Sequence, residues 1–151
     1  MQKAIEKIMS EVTDECVITS CGFISREVFR AKDRDRNFYN MGAMGTSLAI
    51  GLGLARSRPD LKVIVISGDG AVLMSAGTLA LQHYLNLDNL THYILTNFTY
   101  ASTGGQPNCA MNLPVGQSKT IFVGNDSDAP RVPLSCKTIK ERFVESIRIR
   151  D

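Results

Sequence analysis

Four consecutive β-branched residues, Val63-Ile64-Val65-Ile66, run into Ser67-Gly68-Asp69-Gly70, and no other stretch limits the fold so tightly. An unbroken apolar run without alternation suits a strand covered on both faces, as in a parallel sheet. Residues 74–85 read as a helix, and His92-Tyr93-Ile94-Leu95 as a second strand ending at Thr96-Asn97. Strand, helix, strand is a right-handed crossover unit. The 26 residues between Gly70 and Asn97 are what such a unit needs to set the two strand ends side by side. Ligands of open parallel sheets gather beyond the carboxyl ends of the strands, where Asp69 and Asn97 both fall.

The rest of the chain fits the same α/β scheme. A length of 151 residues is one domain's worth, residues 1–151. Residues 4–12 carry Ile5, Ile8, Met9 and Val12 at helical spacing, and Cys16-Val17-Ile18-Thr19 reads as a buried strand. Gly22 closes that strand, and Ser25 has the character of a helix N-cap with Glu27 in the first turn. Lys32 to Arg36 is expected to be a solvated loop, residues 46–56 a buried helix, and residues 101–119 a long polar loop. A short strand at Ile121-Phe122-Val123 and a helix over 138–148 complete the pattern. Glu11, Glu15 and Glu27 read as surface charges.

Composition excludes several classes. With 44% hydrophobic and 21% charged residues, the expectation is a soluble globular protein. A net charge of +2 and no clustered basic face argue against nucleic acid. Apolar runs are too short to span a membrane, and the polar start Met1-Gln2-Lys3 is unlike a secretory signal. Cys16, Cys21, Cys109 and Cys136 form no paired metal motif, and free thiols fit a reducing cytoplasm. His83 and His92 read as structural or exposed rather than as ligands.

Asp69 and Asn97 have a specific chemical use together. Flanking glycines let the backbone turn and approach a ligand closely. A carboxylate and an amide oxygen are hard donors of the kind magnesium prefers, often shared with phosphate oxygens. The start of the following helix also suits a phosphate. Gly68-Asp69-Gly70 alone fits a simple tight turn equally well; joined to an asparagine one crossover later, it describes a site.

That pattern resembles the thiamine-diphosphate enzymes. The resemblance implies a three-layer α/β sandwich with a mainly parallel sheet, trimmed at the C-terminal side of the chain. It implies that magnesium is bound by Asp69, Asn97 and the Thr99 backbone, and that Gly68, Gly70 and Ala71 border the diphosphate. Asn40-Met41-Gly42-Ala43-Met44-Gly45 is similar to the pyrimidine loop of the family. There, Gly42 would offer its carbonyl to the cofactor's amino group and Met44 would hold the bent conformation. Thr19 to Glu27, with Gly22 and Ser25 on the cofactor side, Gly51-Leu52-Gly53 and Ser102-Thr103-Gly104-Gly105-Gln106 resemble the phosphonopyruvate and sulfopyruvate decarboxylases. Thr96 stands where the family has its first asparagine, and Phe98 where a small residue is usual, which predicts crowding of the metal loop. The chain between Gln106 and Ile121 is also shorter than in relatives.

The reaction implied is decarboxylation of a 2-oxo acid to an aldehyde and carbon dioxide. The family activates the pyrimidine with a glutamate from a second domain, for which this chain has no room. A pyrimidine-binding partner subunit supplying that glutamate, and hence a hetero-oligomer, is therefore expected. Tyr100 and Ser102, just past the metal loop, are candidates to face the substrate, or else they serve loop packing and turns. Carboligation or acyl transfer on the same cofactor, and a non-catalytic partner with a vestigial site, are the alternatives.

Overall fold

The computed structural model describes residues 1–125 and 127–149, so residues 126, 150 and 151 of the expected 1–151 domain lie outside the described residues. In chain order the elements are α1 (Gln2–Glu11), β1 (Cys16–Thr19), α2 (Phe23–Ala31), β2 (Asn37–Tyr39), α3 (Ser47–Ser57) and β3 (Val63–Gly68). These are followed by α4 (Asp69–Met74), α5 (Gly77–Leu85), β4 (Leu90–Thr96), β5 (Thr99–Tyr100), β6 (Gln106–Pro107), β7 (Lys119–Phe122) and α6 (Cys136–Ser146). The main sheet runs β2-β1-β3-β4-β7. All its pairings are parallel, with Cys16 opposite Val63, Gly68 opposite Leu95 and Thr96 opposite Phe122. The mainly parallel α/β architecture expected from the sequence is present, with the β-branched run at its centre.

Alternation along the strands divides the interior into two apolar layers. Val17, Ile66 and Leu95 pack with Ile5, Ile8, Met9, Ile24 and Val28 of α1 and α2. Cys16, Ile18, Val63, Val65 and Ile94 pack with Leu48, Leu52, Leu79 and Phe143 of α3, α5 and α6. Burying one such aliphatic side chain is worth about 1.5–3 kcal/mol, so neighbouring strands are held in one register by both layers at once. α3 lies so close to β3 that a Cβ at Gly51 would overlap Val65 Cγ2.

Several local expectations are corrected. α2 begins at Phe23 after Gly22, whose φ of 82° makes the turn. Ser25 is therefore inside the first helical turn and caps nothing. Its Oγ donates to the Ser20 carbonyl at 2.7 Å and lies 2.8 Å from Thr19 Oγ1, tying the helix to the end of β1. The helix after Gly68 starts at Asp69 itself, stops at Met74 and restarts at Gly77. Ser75 sits in the break, its hydroxyl donating to the Gly45 carbonyl at 2.5 Å. β2 lies where no strand was expected, because the charged residues before it mask a three-residue strand whose Tyr39 is buried. The long loop of residues 101–119 is partly ordered: the β5–β6 hairpin begins just before it and short 3-10 turns lie within it.

Candidate functional site

Parallel pairing brings the C-terminal ends of β1, β3 and β4 to one edge, and a cleft opens there. It holds about 650 Å³ of space open to solvent. Its walls come from the turn after β1 (Ser20, Cys21, Gly22), the start of α2 (Phe23, Ile24), Met44, and the β3–α4 junction from Gly68 to Ala71. Asn97, Thr99, Tyr100 and Ser102 line it as well, together with Met1, Leu95, Ala101 and Val123. The structure thus gathers Gly22, Met44, Gly68, Asp69, Gly70, Ala71, Asn97, Thr99, Tyr100 and Ser102 around one space. Two of the sequence candidates are not in the lining. Ser25 is buried behind the wall, and Gly42 stands in the exposed 41–44 loop at φ 77°.

Asp69 is 5% exposed, and backbone geometry explains how a carboxylate is held there. Its Oδ1 accepts the Gly70 N–H at 2.7 Å. Its Oδ2 accepts the Thr96 hydroxyl at 2.8 Å and the N–H groups of Asn97 and Phe98 at 3.2 and 2.8 Å. One acid therefore joins the ends of two adjacent strands. Charge-assisted bonds of this kind are the strong ones. Asn97 Oδ1 accepts the Thr99 N–H at 2.9 Å and the Thr99 hydroxyl at 3.1 Å. That hydroxyl has a second acceptor within reach, Asn125 Oδ1 at 3.3 Å.

These donors fit a small hard cation. Oδ1 of Asp69 holds one hydrogen bond and has a lone pair left, and the Asn97 oxygen keeps only the Thr99 N–H if the Thr99 hydroxyl turns to Asn125. Among the described residues no three His, Cys, Asp or Glu side chains cluster. This suits a cation that shares its shell with water and phosphate rather than one caged by protein. Glycine at 70 is required by the neighbours: a Cβ there would lie 2.8 Å from Tyr100 Cε1 and 3.3 Å from Met44 Cε.

Phe98 does not crowd this loop. Its φ is 57°, a conformation that favours glycine or asparagine. The strained backbone points its N–H at Asp69, while the ring leaves the cleft to pack against Phe122 with centroids 5.6 Å apart.

Glu27 is not a surface charge. It is 1% exposed, with Oε2 2.6 Å from Arg30 Nη2 and Oε1 accepting the Ser127 hydroxyl at 2.6 Å. The sequence carried no sign of this, because Ser127 is 100 residues away. Phe23, Ile24, Leu95 and Val123 were also missed as lining residues; only the strand-end topology reveals them. Burial pushes the Cys21 thiol up from its usual range, so it stays protonated at neutral pH. No helix among the described residues is long and apolar enough to cross a membrane.

Comparison with known proteins points to one family. Residues 18–137 match the family model "Thiamine pyrophosphate enzyme, C-terminal TPP binding domain". The chain is 34% identical over 176 residues to sulfopyruvate decarboxylase subunit beta of Methanothermobacter thermautotrophicus, covering 97% of this chain and 94% of that protein. It is 46% identical over 103 residues to the subunit beta of Methanocaldococcus jannaschii, covering 68% of this chain and 54% of that protein. It is 41% identical over 114 residues to phosphonopyruvate decarboxylase of Streptomyces viridochromogenes, covering 74% of this chain and 28% of that protein. The chain thus spans only part of the length of the latter two relatives. The first alignment is longer than the chain itself, so that relative carries residues this chain lacks.

Proposed function

The chain belongs to the thiamine pyrophosphate (thiamine diphosphate) enzymes as their C-terminal cofactor-binding domain, and on that premise we propose that it is the diphosphate- and magnesium-binding subunit of a 2-oxo acid decarboxylase. The observation that carries this reading is the joining of two strand ends by Asp69 at a glycine-lined cleft. The relatives named as sulfopyruvate and phosphonopyruvate decarboxylases support decarboxylation to an aldehyde and carbon dioxide.

Each residue has a role in this reading. Asp69, Asn97 and the Thr99 backbone hold magnesium. Gly68 and Gly70 let a diphosphate approach the backbone, bordered by Ala71 and Gly22. Met44 would back the cofactor from the cleft wall, and Gly42, on the same loop, would offer its carbonyl to the pyrimidine ring. Thiamine diphosphate, when bound, supplies the electron sink for carbon–carbon cleavage. Tyr100 and Ser102 flank the substrate side. Ser25 acts indirectly, by fixing the turn that carries Gly22.

Glu27 cannot serve as the activating glutamate, because Arg30 and Ser127 engage both its oxygens away from the cleft lining. A partner subunit supplies it, as the name "subunit beta" of the relatives suggests. The working protein is then a hetero-oligomer.

Calorimetric titration with thiamine diphosphate and magnesium, with and without the partner, tests this. Binding is expected, and Asp69→Ala should abolish it, since a hard ligand and a charge disappear together. Asp69→Asn keeps the shape and a hydrogen-bond acceptor, and should weaken magnesium binding while leaving the circular dichroism spectrum native. Absence of cofactor binding in both states, or full affinity in Asp69→Asn, refutes the assignment.

A further inference from the structure

Among the described residues no lysine, arginine or histidine side chain lines the cleft, and Asp69 is the one acidic side chain in its walls. A 2-oxo acid with a second strong acid group would meet no cationic side chain in those walls. One turn into α2, however, the Arg26 guanidinium lies 5.3 Å from the centroid of the Phe23 ring, and Phe23 is part of the cleft wall. Stacking on an aromatic face holds the planar guanidinium in place while leaving its N–H edge available.

Two features separate Arg26 from its neighbour Arg30. Arg30 is neutralised by Glu27 at 2.6 Å and Asp128 at 2.5 Å. Arg26 is half-buried and makes no ion pair or side-chain hydrogen bond among the described residues. Its backbone N–H donates to the Gly22 carbonyl at 3.3 Å, which ties its helical turn to the wall of the cleft. A side-chain cation with no ion pair among the described residues is thereby stacked on a residue of a cleft whose walls carry no cationic side chain.

We infer that Arg26 receives the second anionic group, a sulfonate or phosphonate, of a dianionic 2-oxo acid substrate and sets the preference for such substrates. This rests on the decarboxylase reading above. A guanidinium matches tetrahedral oxyanions by paired N–H donors, which an ammonium does less well.

The test is kinetic and uses the assembled enzyme. The kcat/KM for 3-sulfo-2-oxopropanoate or its phosphono analogue is compared with that for pyruvate. In Arg26→Gln the ratio is expected to fall roughly 10- to 100-fold, the usual size of a lost charged hydrogen bond. Arg26→Lys should recover part of it, and calorimetric affinity for thiamine diphosphate should stay at the wild-type value. An unchanged ratio overturns the assignment. So does loss of cofactor affinity in Arg26→Gln, which would place the guanidinium on the diphosphate. If wild-type protein binds no cofactor, the decarboxylase reading fails separately. Titration of the full chain with 3-sulfopropanoate against propanoate then decides Arg26, and equal sulfopropanoate affinity in wild type and Arg26→Gln refutes it.

Discussion

At the scale of single residues, hydrogen bonding inside the site is as informative as the residue types. Thr96 replaces a family asparagine, yet its hydroxyl donates to Asp69 at 2.8 Å and helps to fix the acid between two strands. Gly70 shows the opposite constraint, where an atom cannot be added. In Gly70→Ala the new Cβ would sit 2.8 and 2.9 Å from Tyr100 ring carbons, and overpacking of this kind costs about 1–3 kcal/mol. Urea unfolding should show that loss, and Tyr100→Ala in the same chain should restore most of it. A loss that persists in the double variant would show that the ring is not the obstacle.

At the scale of elements, two glycines of α3 make opposite predictions. Gly51 faces Val65, and a methyl group there would force the helix off β3. Gly51→Ala should therefore lower stability by about 1–3 kcal/mol. Gly53 has open space where its Cβ would go, and replacing a mid-helix glycine by alanine gains about 0.8–1 kcal/mol. Gly53→Ala should raise the Tm while Gly51→Ala lowers it; equal shifts would contradict the packing of α3 on the sheet. Sequence resemblance marked both glycines alike, and only the distance between α3 and β3 tells them apart. The same holds for the helix read over residues 74–85: the chain is already helical from Asp69 to Met74, and in the break before Gly77 the Ser75 hydroxyl bonds to the Gly45 carbonyl 30 residues earlier.

At the scale of the whole molecule, a buried polar link makes stability depend on pH. His92 is 1% exposed, with Nε2 3.1 Å from Ser67 Oγ and Nδ1 2.8 Å from Ser118 Oγ. It bridges β3, β4 and the segment leading into β7. Burial pulls its pKa from 6.5 down to about 4. Above pH 6.5 the ring is neutral in both folded and unfolded chains. As pH falls from 6.5 towards 4, the unfolded chain takes up a proton that the fold refuses, so stability falls, by up to about 3 kcal/mol in all. The difference between wild type and His92→Gln in denaturant unfolding from pH 7.5 to 4 isolates this contribution. A difference that does not change with pH would place the ring in solvent.

Much of this protein is determined by the order of its residues alone. The β-branched run at 63–66, the spacing of Asp69 and Asn97, and the apolar periodicity of α1, α3 and α6 follow from local preference and burial, which are written in neighbouring positions. The tertiary structure alone decided the rest. Glu27 was buried with the Ser127 hydroxyl on its carboxylate, Phe98 turned its ring to Phe122, and Gly42 and Ser25 fell outside the cleft lining. Those outcomes depend on atoms far apart in the chain, whose proximity is set by how helices pack on the sheet and carries no signature in the local sequence.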